Sequence, residues 1–231
     1  MSWDDALRCL NEVRLPARRL DPEEGRTKWE RWNLERIRER RLLFVDVGTH
    51  GGVEEFRILP GRKSEADVLD KDARIRHLLL RVRTPESAGR FLFGQDERHL
   101  FVLALPEGCV RTIRDAFEIL KPEVARRVER AGGRVLRQGE WFFVPVGEPN
   151  GEGNALRLFR HDLGSGHVAE EVLSVRPPEG EARVYARGAI RHRDHKTLCL
   201  RTWHRVLPNQ EDREWDEPSG RRTRLRIGYQ D

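Results

Sequence analysis

Short apolar stretches separated by polar turn residues recur along this chain and constrain its fold more than any other feature. Residues 89–94 and 99–105 flank the polar tetrapeptide QDER, and residues 184–191 and 197–206 flank the tetrapeptide RDHK. Two apolar stretches joined by a few turn-forming residues are typical of antiparallel β-hairpins. The chain is therefore expected to be rich in antiparallel sheet rather than in alternating βαβ units.

Two segments near the N-terminus predict helices. Residues 2–13 place apolar side chains on one side of a helix, and Ser2 is a suitable N-cap. Asp21 is followed by Pro22 and two glutamates, a typical helix start, and the pattern continues to about residue 40. The first forty residues are therefore expected to be mainly helical.

The strongest helical periodicity covers residues 110–130. Pro122 lies within this segment and is expected to kink it or to split it into two helices. A shorter helix is expected at 167–175, and residues 60–73 predict a polar connection or a short helix. Together with the hairpins, these segments predict an α+β fold of mostly antiparallel β-hairpins with a few packed helices.

The sequence GEPNGEGN at residues 147–154 is the best candidate for a linker. It would join a helical and β-hairpin N-terminal part, residues 1–146, to a β-hairpin C-terminal part, residues 155–231. A chain of 231 residues is long enough for two small domains or one large one. One continuous domain therefore stays open as an alternative.

The balance of charged residues permits an anionic partner. The formal net charge is +5, and only five of the 44 basic residues are lysine. Arginine binds phosphate oxygens in a bidentate manner, so this bias suits phosphate recognition. Genome composition or heat adaptation explains the same bias without any function.

Several features favour a cytoplasmic protein without a membrane partner. No apolar run approaches the roughly 18 residues of a membrane span, and the N-terminus lacks the basic start and apolar core of a signal peptide. Cys9, Cys109 and Cys199 are far apart and form no CxxC motif, so neither a disulfide framework nor a cysteine zinc site is expected. The thiols are expected to be reduced.

Histidines concentrate in the C-terminal third, where five of the eight fall within residues 161–204. If 184–191 and 197–206 pair, His192, Asp194 and His195 lie at the hairpin tip. His204 would lie roughly 25–30 Å back along the second strand, at about 3.3 Å per residue. His204 is therefore expected to pair with a histidine of the preceding loop, His161 or His167, rather than with the tip.

Three interpretations of the histidine cluster stay open. In the first, His192 and His195 act as general acid and base, with Asp194 orienting an imidazole and with His204 and His167 as a second catalytic pair. In the second, His192, Asp194 and His195 bind a divalent metal such as zinc or manganese. In the third, the histidines are structural. No cofactor is certain, and a divalent metal is the candidate.

Basic and aromatic residues alternate along the same hairpin and suit nucleic acid. Tyr185 and Trp203 are candidate stacking residues for bases. The candidate phosphate-binding residues are Arg187, Arg191, Arg193, Lys196 and Arg205.

The favoured function is therefore nucleic-acid binding, of RNA or DNA, with histidine-based phosphodiester cleavage. The first alternative is a non-enzymatic module that recognises a nucleic acid or a protein, with the N-terminal helices as a candidate protein-docking element. The second alternative is a metal-dependent hydrolase of a small substrate. The chain carries no Walker A, GxGxxG, HExxH or GxSxG motif that would indicate a different class.

Overall fold

A computed structural model describes residues 2–25, 27–40, 43–106, 110–149, 154–177, 182–210, 214–216 and 222–224. Its α-helices are α1 (Trp3–Glu12), α2 (Lys28–Arg40), α3 (Ile113–Leu120) and α4 (Glu123–Arg130), and a 3₁₀ turn covers Pro22–Glu24. None of the helices among these residues is long and apolar enough to span a membrane.

The strands pair mostly in antiparallel fashion, and together with the helices they confirm the predicted α+β class. In chain order they are β1 (Ala17–Arg19), β2 (Leu43–His50), β3 (Val53–Pro60), β4 (Glu65–Asp72), β5 (His77–Arg83), β6 (Ala88–Gln95), β7 (Leu100–Ala104), β8 (Leu136–Gln138), β9 (Trp141–Pro145), β10 (Asn154–Asp162), β11 (Val168–Arg176), β12 (Arg183–Arg191), β13 (Leu198–Pro208), β14 (Glu214–Asp216) and β15 (Arg222–Arg224).

The chain divides into two compact units, with Met1–Leu120 and Glu211–Asp231 in the first and Lys121–Gln210 in the second. Pro122 lies at this division, between α3 and α4, where its ring ends one helix and precedes the next. The candidate linker at 147–154 instead follows β9 and leads to β10, and both strands belong to the second unit. Residues 150–153 of the candidate linker lie outside the described residues, and the boundary at 147–154 stays a prediction.

The first unit contains one sheet with the order β1-β3-β2 and one with the order β4-β5-β6-β7, and the two-stranded sheet β14-β15 also belongs to it. The Ser2 side chain caps α1 in a capping box with Asp5, as the sequence predicted. Trp3 and Leu10 bury the inner side of α1 in a core that also contains Phe56. Residues 65–72 form β4 rather than a connection, because the neighbouring strand β5 pairs with them along their length.

The second unit is built on one six-stranded sheet with the order β10-β11-β12-β13-β9-β8. All six strands contribute to the apolar cluster on one face, from Leu136 in β8 to Leu158 in β10. Helix α4 packs on β9, where Ala125 joins Phe142 and Val144 in a second cluster. Phe142 and Phe143 therefore serve opposite faces, as strand geometry requires.

The helix expected at residues 167–175 is wrong, because Val168–Arg176 is strand β11. Ala169 and Val172 lie in the same core cluster although they are three residues apart. A register shift between Ala169 and Glu171 changes the alternation of faces and makes the strand resemble a helix in sequence. The irregularity in the sheet thus accounts for the error.

Candidate metal centre

Three hairpin turns of the second unit meet at the candidate site. Residues 163–167 join β10 to β11, residues 192–197 join β12 to β13, and residues 139–140 join β8 to β9. The amide Nε2 of Gln138 donates a 2.6 Å hydrogen bond to the carbonyl of Lys196 and ties two of these turns together. Segments far apart in sequence are therefore neighbours here.

His167, His192 and His195 form one cluster at this meeting point. The ring centroid of His192 lies 4.4 Å from that of His167 and 4.6 Å from that of His195, and the centroids of His167 and His195 are 5.5 Å apart. One ligand nitrogen from each ring lies within 4.8 Å of the other two. In a tetrahedral zinc site with Zn–N bonds of about 2.0–2.1 Å, such nitrogens are about 3.3 Å apart. Binding one ion would therefore require the nitrogens to approach by up to about 1.5 Å. It would also require the rings to turn so that their in-plane lone pairs converge, because the ring planes are inclined to one another by only 24–31°.

His167 is the buried member of the cluster, with only 1% of its surface exposed. Neither of its ring nitrogens has a hydrogen-bond partner, although both are buried. Buried polar atoms are normally satisfied, so this ring lacks a partner that its chemistry requires. A bound metal ion would supply one.

Burial lowers the pKa of His167 below its ordinary value of 6.5. The negative charge of Glu140 opposes this effect on the pKa, whereas His192 and His195 lower it further. The backbone interaction with Gly164 raises the pKa again, but the net direction is downward. The neutral ring, whose lone pair can bind a metal, is therefore favoured near neutral pH.

His192 is held in place by two backbone groups. Its Nδ1 accepts a 3.1 Å hydrogen bond from the Asp194 backbone N–H, and its Nε2 lies 3.0 Å from the Ser165 carbonyl. In a neutral ring this arrangement assigns the proton to Nε2, which donates to Ser165. Metal binding through Nδ1 would displace the Asp194 N–H and would retain the hydrogen bond from Nε2 to the Ser165 carbonyl. Such a bond from the second ring nitrogen commonly fixes the orientation of a ligand histidine.

Asp194 supports His192 rather than completing the cluster. Its carboxylate Oδ2 lies 4.0 Å from His192 Nδ1 and 3.0 Å from Arg193 Nε. Among the described residues, the group that could hold a metal ion consists of three histidines. Its third member is His167 and not Asp194, which the sequence predicted as a ligand. The hydrogen bond to His192 comes from the backbone N–H of Asp194, so an orienting role for the Asp194 carboxylate stays a prediction.

Gly139 brings the third turn directly against the imidazoles. A Cβ atom at this position would lie 3.1 Å from His167 Cε1 and Nε2 and 3.3 Å from His195 Nε2. The backbone φ of Gly139 is +57°, which glycine adopts without strain. Both the space and the backbone conformation therefore favour glycine here.

Buried polar atoms without hydrogen-bond partners gather around the same turn. Oε1 of Glu140 is one of them, and this side chain is close enough to His167 to affect its pKa. In the sequence these residues have the pattern of an ordinary hairpin turn, which does not indicate a functional site. The other such side chains in and near this turn are Gln138, Trp141 and Asn209.

His204 lies elsewhere in the sheet. It is buried on β13, opposite Ala186 of β12 and Pro145 of β9, and its Nδ1 lies 2.8 Å from the Thr202 carbonyl. As the strand geometry predicted, it is distant along the hairpin from the tip. The expected partnership of His204 with His167 is wrong, because His167 stacks on His192 instead.

Trp203 and Arg187, which were predicted to stack on bases and to bind phosphate, contact other protein groups in the structure. The guanidinium carbons of Arg187 and Arg157 lie 4.7 Å and 5.8 Å from the centroid of the Trp203 ring, and Trp203 is only 2% exposed. Both arginines also form ion pairs with Glu171, at 2.7 Å and 3.0 Å. In this structure Trp203 offers no open face to a base, and Arg187 is already paired.

The remaining predicted residues differ in exposure. Arg191 and Lys196 are exposed beside the tip histidines, and Arg193 is exposed while paired with Asp194. Tyr185 and Arg205 are half-buried and face each other across β12 and β13. Arg191, Arg193 and Lys196 are therefore the exposed cations that lie next in sequence to the tip histidines.

Comparison of the chain with protein-family models, with curated proteins and with solved structures finds no match. What the described residues provide is a partly buried group of three histidines that could hold a metal ion.

Proposed function

We propose that the protein binds one divalent transition-metal ion through His167, His192 and His195 and uses it to activate water for hydrolysis. The observation that carries the proposal is the convergence of three ring nitrogens within 4.8 Å of one another. The unpartnered nitrogens of His167 support it, because an ion would satisfy one of them.

The ligand set suits zinc and similar ions. Neutral imidazole is a preferred ligand for zinc, copper, iron and nickel. Three protein ligands leave a coordination position for water, and bound zinc lowers the pKa of that water to about 7. His192 and His195 are only half-buried, so a substrate can approach the ion from their side.

Metal titration tests the proposal directly. The purified protein is stripped of metal and titrated with Zn²⁺ and Co²⁺ against a chromophoric chelator, and the cobalt complex is followed by its absorption spectrum. One ion per chain is expected, and replacing His167, His192 or His195 by alanine is expected to weaken binding by more than the 10–100-fold typical of outer-shell changes. His161→Ala is the matched control, because His161 is an exposed histidine of the adjacent strand β10.

Two results would overturn the metal proposal. One is the absence of stoichiometric binding by the unaltered protein. The other is an equal loss of binding in the control and in the three ligand variants.

Histidine-based cleavage of a phosphodiester, without metal, is the second candidate. The ring centroids of His192 and His195 are 4.6 Å apart at the partly exposed tip, and Arg191 is exposed beside them. One neutral and one protonated imidazole at such a distance suit acid–base catalysis. Arg191 would contact the phosphate.

Cleavage assays separate the two candidates. Labelled single- and double-stranded RNA and DNA are incubated with protein in EDTA or in Zn²⁺, with the His192→Ala/His195→Ala variant as control. Cleavage that persists in EDTA and is lost in the variant supports the metal-free mechanism. Cleavage only with Zn²⁺ supports the metal mechanism. Binding without cleavage would support the non-enzymatic recognition module. The absence of both binding and cleavage would exclude nucleic acid as the substrate.

A further inference from the structure

Helix α2 exposes two large aromatic side chains to solvent. Trp29 is 70% exposed and Trp32 is 55% exposed, although tryptophan is usually well buried. The helix is nonetheless well defined at its start, where Thr27 and Glu30 form reciprocal 3.1 Å hydrogen bonds between side chain and backbone. Local capping therefore fixes a helix whose aromatic side chains contribute little to the core.

The tryptophans share one stripe of α2 with arginines. Trp29, Trp32, Arg36 and Arg40 follow one another at spacings of three or four residues and so lie on one face, over about 16 Å at about 1.5 Å per residue. The guanidinium carbon of Arg36 lies 5.0 Å from the ring centroid of Trp32. Aromatic and cationic groups are therefore neighbours along this stripe.

Four of the five cations of this helix form no ion pair among the described residues, and the five cations outnumber the three glutamates of the helix. Arg38 pairs with Glu35 at 3.4 Å. Arg36 and Arg40, in contrast, have no ion pair within the part of the chain that the structure describes, and the same holds for Lys28 and Arg31. An anionic partner would supply the missing counter-charges.

We propose that this stripe of α2 binds single-stranded nucleic acid, with Trp29 and Trp32 stacking on bases and Arg36 and Arg40 contacting phosphates. Single strands present flat bases and regularly spaced charges, and proteins bind them by combining aromatic stacking with cations. The mixed stripe fits this partner better than a lipid surface, because an interfacial helix separates a broad apolar face from its polar face. The aliphatic Leu34 and Ile37 are already half-buried against the protein.

Binding is measured by fluorescence anisotropy with labelled oligo(dT) and oligo(U) of about 16 nucleotides, the upper end of common site sizes. Trp29→Ala/Trp32→Ala is expected to weaken binding at least about tenfold, because each stacked base contributes substantially. Arg36→Ala/Arg40→Ala is expected to reduce the slope of log affinity against log salt by about 1.4, or about 0.7 for each phosphate that an arginine no longer neutralises.

Leu156→Ala/Phe159→Ala is the matched control, since these side chains are 57% and 69% exposed on β10 of the second unit.

The proposal does not rest on the metal site, so the oligonucleotide affinity is expected to be the same in EDTA and in Zn²⁺. It is overturned if the oligonucleotides do not bind at low salt, or if the tryptophan variant binds as well as the unaltered protein. Binding that His167→Ala abolishes and the tryptophan variant retains would place the oligonucleotide at the histidines and overturn it too. Binding to phosphatidylserine vesicles in place of oligonucleotides would overturn it by assigning the stripe to a membrane surface.

Discussion

The imidazole rings of His167 and His192 stack, with their centroids 4.4 Å apart and their planes inclined by 24°. Two protonated rings would repel each other at this distance, and the effect is strong because His167 is buried. The arrangement is therefore compatible with stacked rings that are not both protonated, or with rings that share a metal ion. Its stability depends on which of these states the solution favours.

Acid is expected to destabilise the metal-free second unit. The folded-state pKa of His167 lies below 6.5, so the unfolded chain binds more protons as the pH falls. The contribution of His167 to the free energy of unfolding is fully present above its pKa of about 6.5 in the unfolded chain. This contribution is lost as the pH falls through the lower pKa of the folded state. Urea denaturation between pH 8 and pH 5 would show this dependence, and His167→Gln should reduce it. Equal pH dependence in the two proteins would show that His167 is not responsible.

Gly139→Ala is expected to lower both stability and zinc affinity. The added Cβ would meet His167 and His195 at 3.1–3.3 Å in a left-handed backbone conformation, which predicts a loss of more than about 1 kcal/mol. Gly132→Ala is the matched control, because Gly132 also has a positive φ but nothing lies within 4 Å of an added Cβ. Both variants should lose stability from backbone strain, and only Gly139→Ala should lose zinc affinity. A loss of zinc affinity in Gly132→Ala would contradict this explanation.

Removing the Glu171 carboxylate is expected to destabilise the sheet by about 1–2 kcal/mol, between the values for exposed and buried ion pairs. The substitution Glu171→Ala leaves Arg157 and Arg187 unpaired above the buried ring of Trp203. Urea denaturation gives the change in the free energy of unfolding. Arg193→Ala serves as the comparison, because that side chain is 87% exposed and should matter little. Equal effects from the two substitutions would mean that the Glu171 pairs are not stabilising.

Loss of the first helix cap is expected to cost about 1 kcal/mol. In Ser2→Ala, the Asp5 backbone N–H loses the hydroxyl that accepts its 3.2 Å hydrogen bond, whereas Ser2→Asp offers a carboxylate in its place. Thermal unfolding should therefore show a lower midpoint for Ser2→Ala and little change for Ser2→Asp. Similar midpoints for Ser2→Ala and the unaltered protein would show that the cap does not contribute.

Local signals in the sequence were sufficient for much of the fold. The cap at Ser2 and the break at Pro122 depend on neighbouring residues alone, and both are confirmed. Strand β11 was missed because its register shift appears only when it pairs with β12. Strand β4 was missed because pairing with β5, and not its own composition, makes it a strand.

The candidate site could likewise be predicted only where its residues are close together in sequence. His192 and His195 could be grouped from sequence because they are close together within one turn. His167 was identified as a site residue, but its true neighbours depend on the pairing of β11 with β12. Gly139 and Glu140 could not be predicted, since only the pairing of β9 with β13 brings their turn to the site.

The β8–β9 turn is far in sequence from the turn that carries His192 and His195, and this separation affects the order of folding. Val144 pairs with Arg205, and this pairing closes a loop that contains three other strands. Closing such a loop is slow compared with forming the local hairpin that carries His192 and His195. Refolding chains should therefore regain most of their β-sheet signal before they acquire the full affinity for zinc. Zinc uptake would then report the final step of assembly in the second unit.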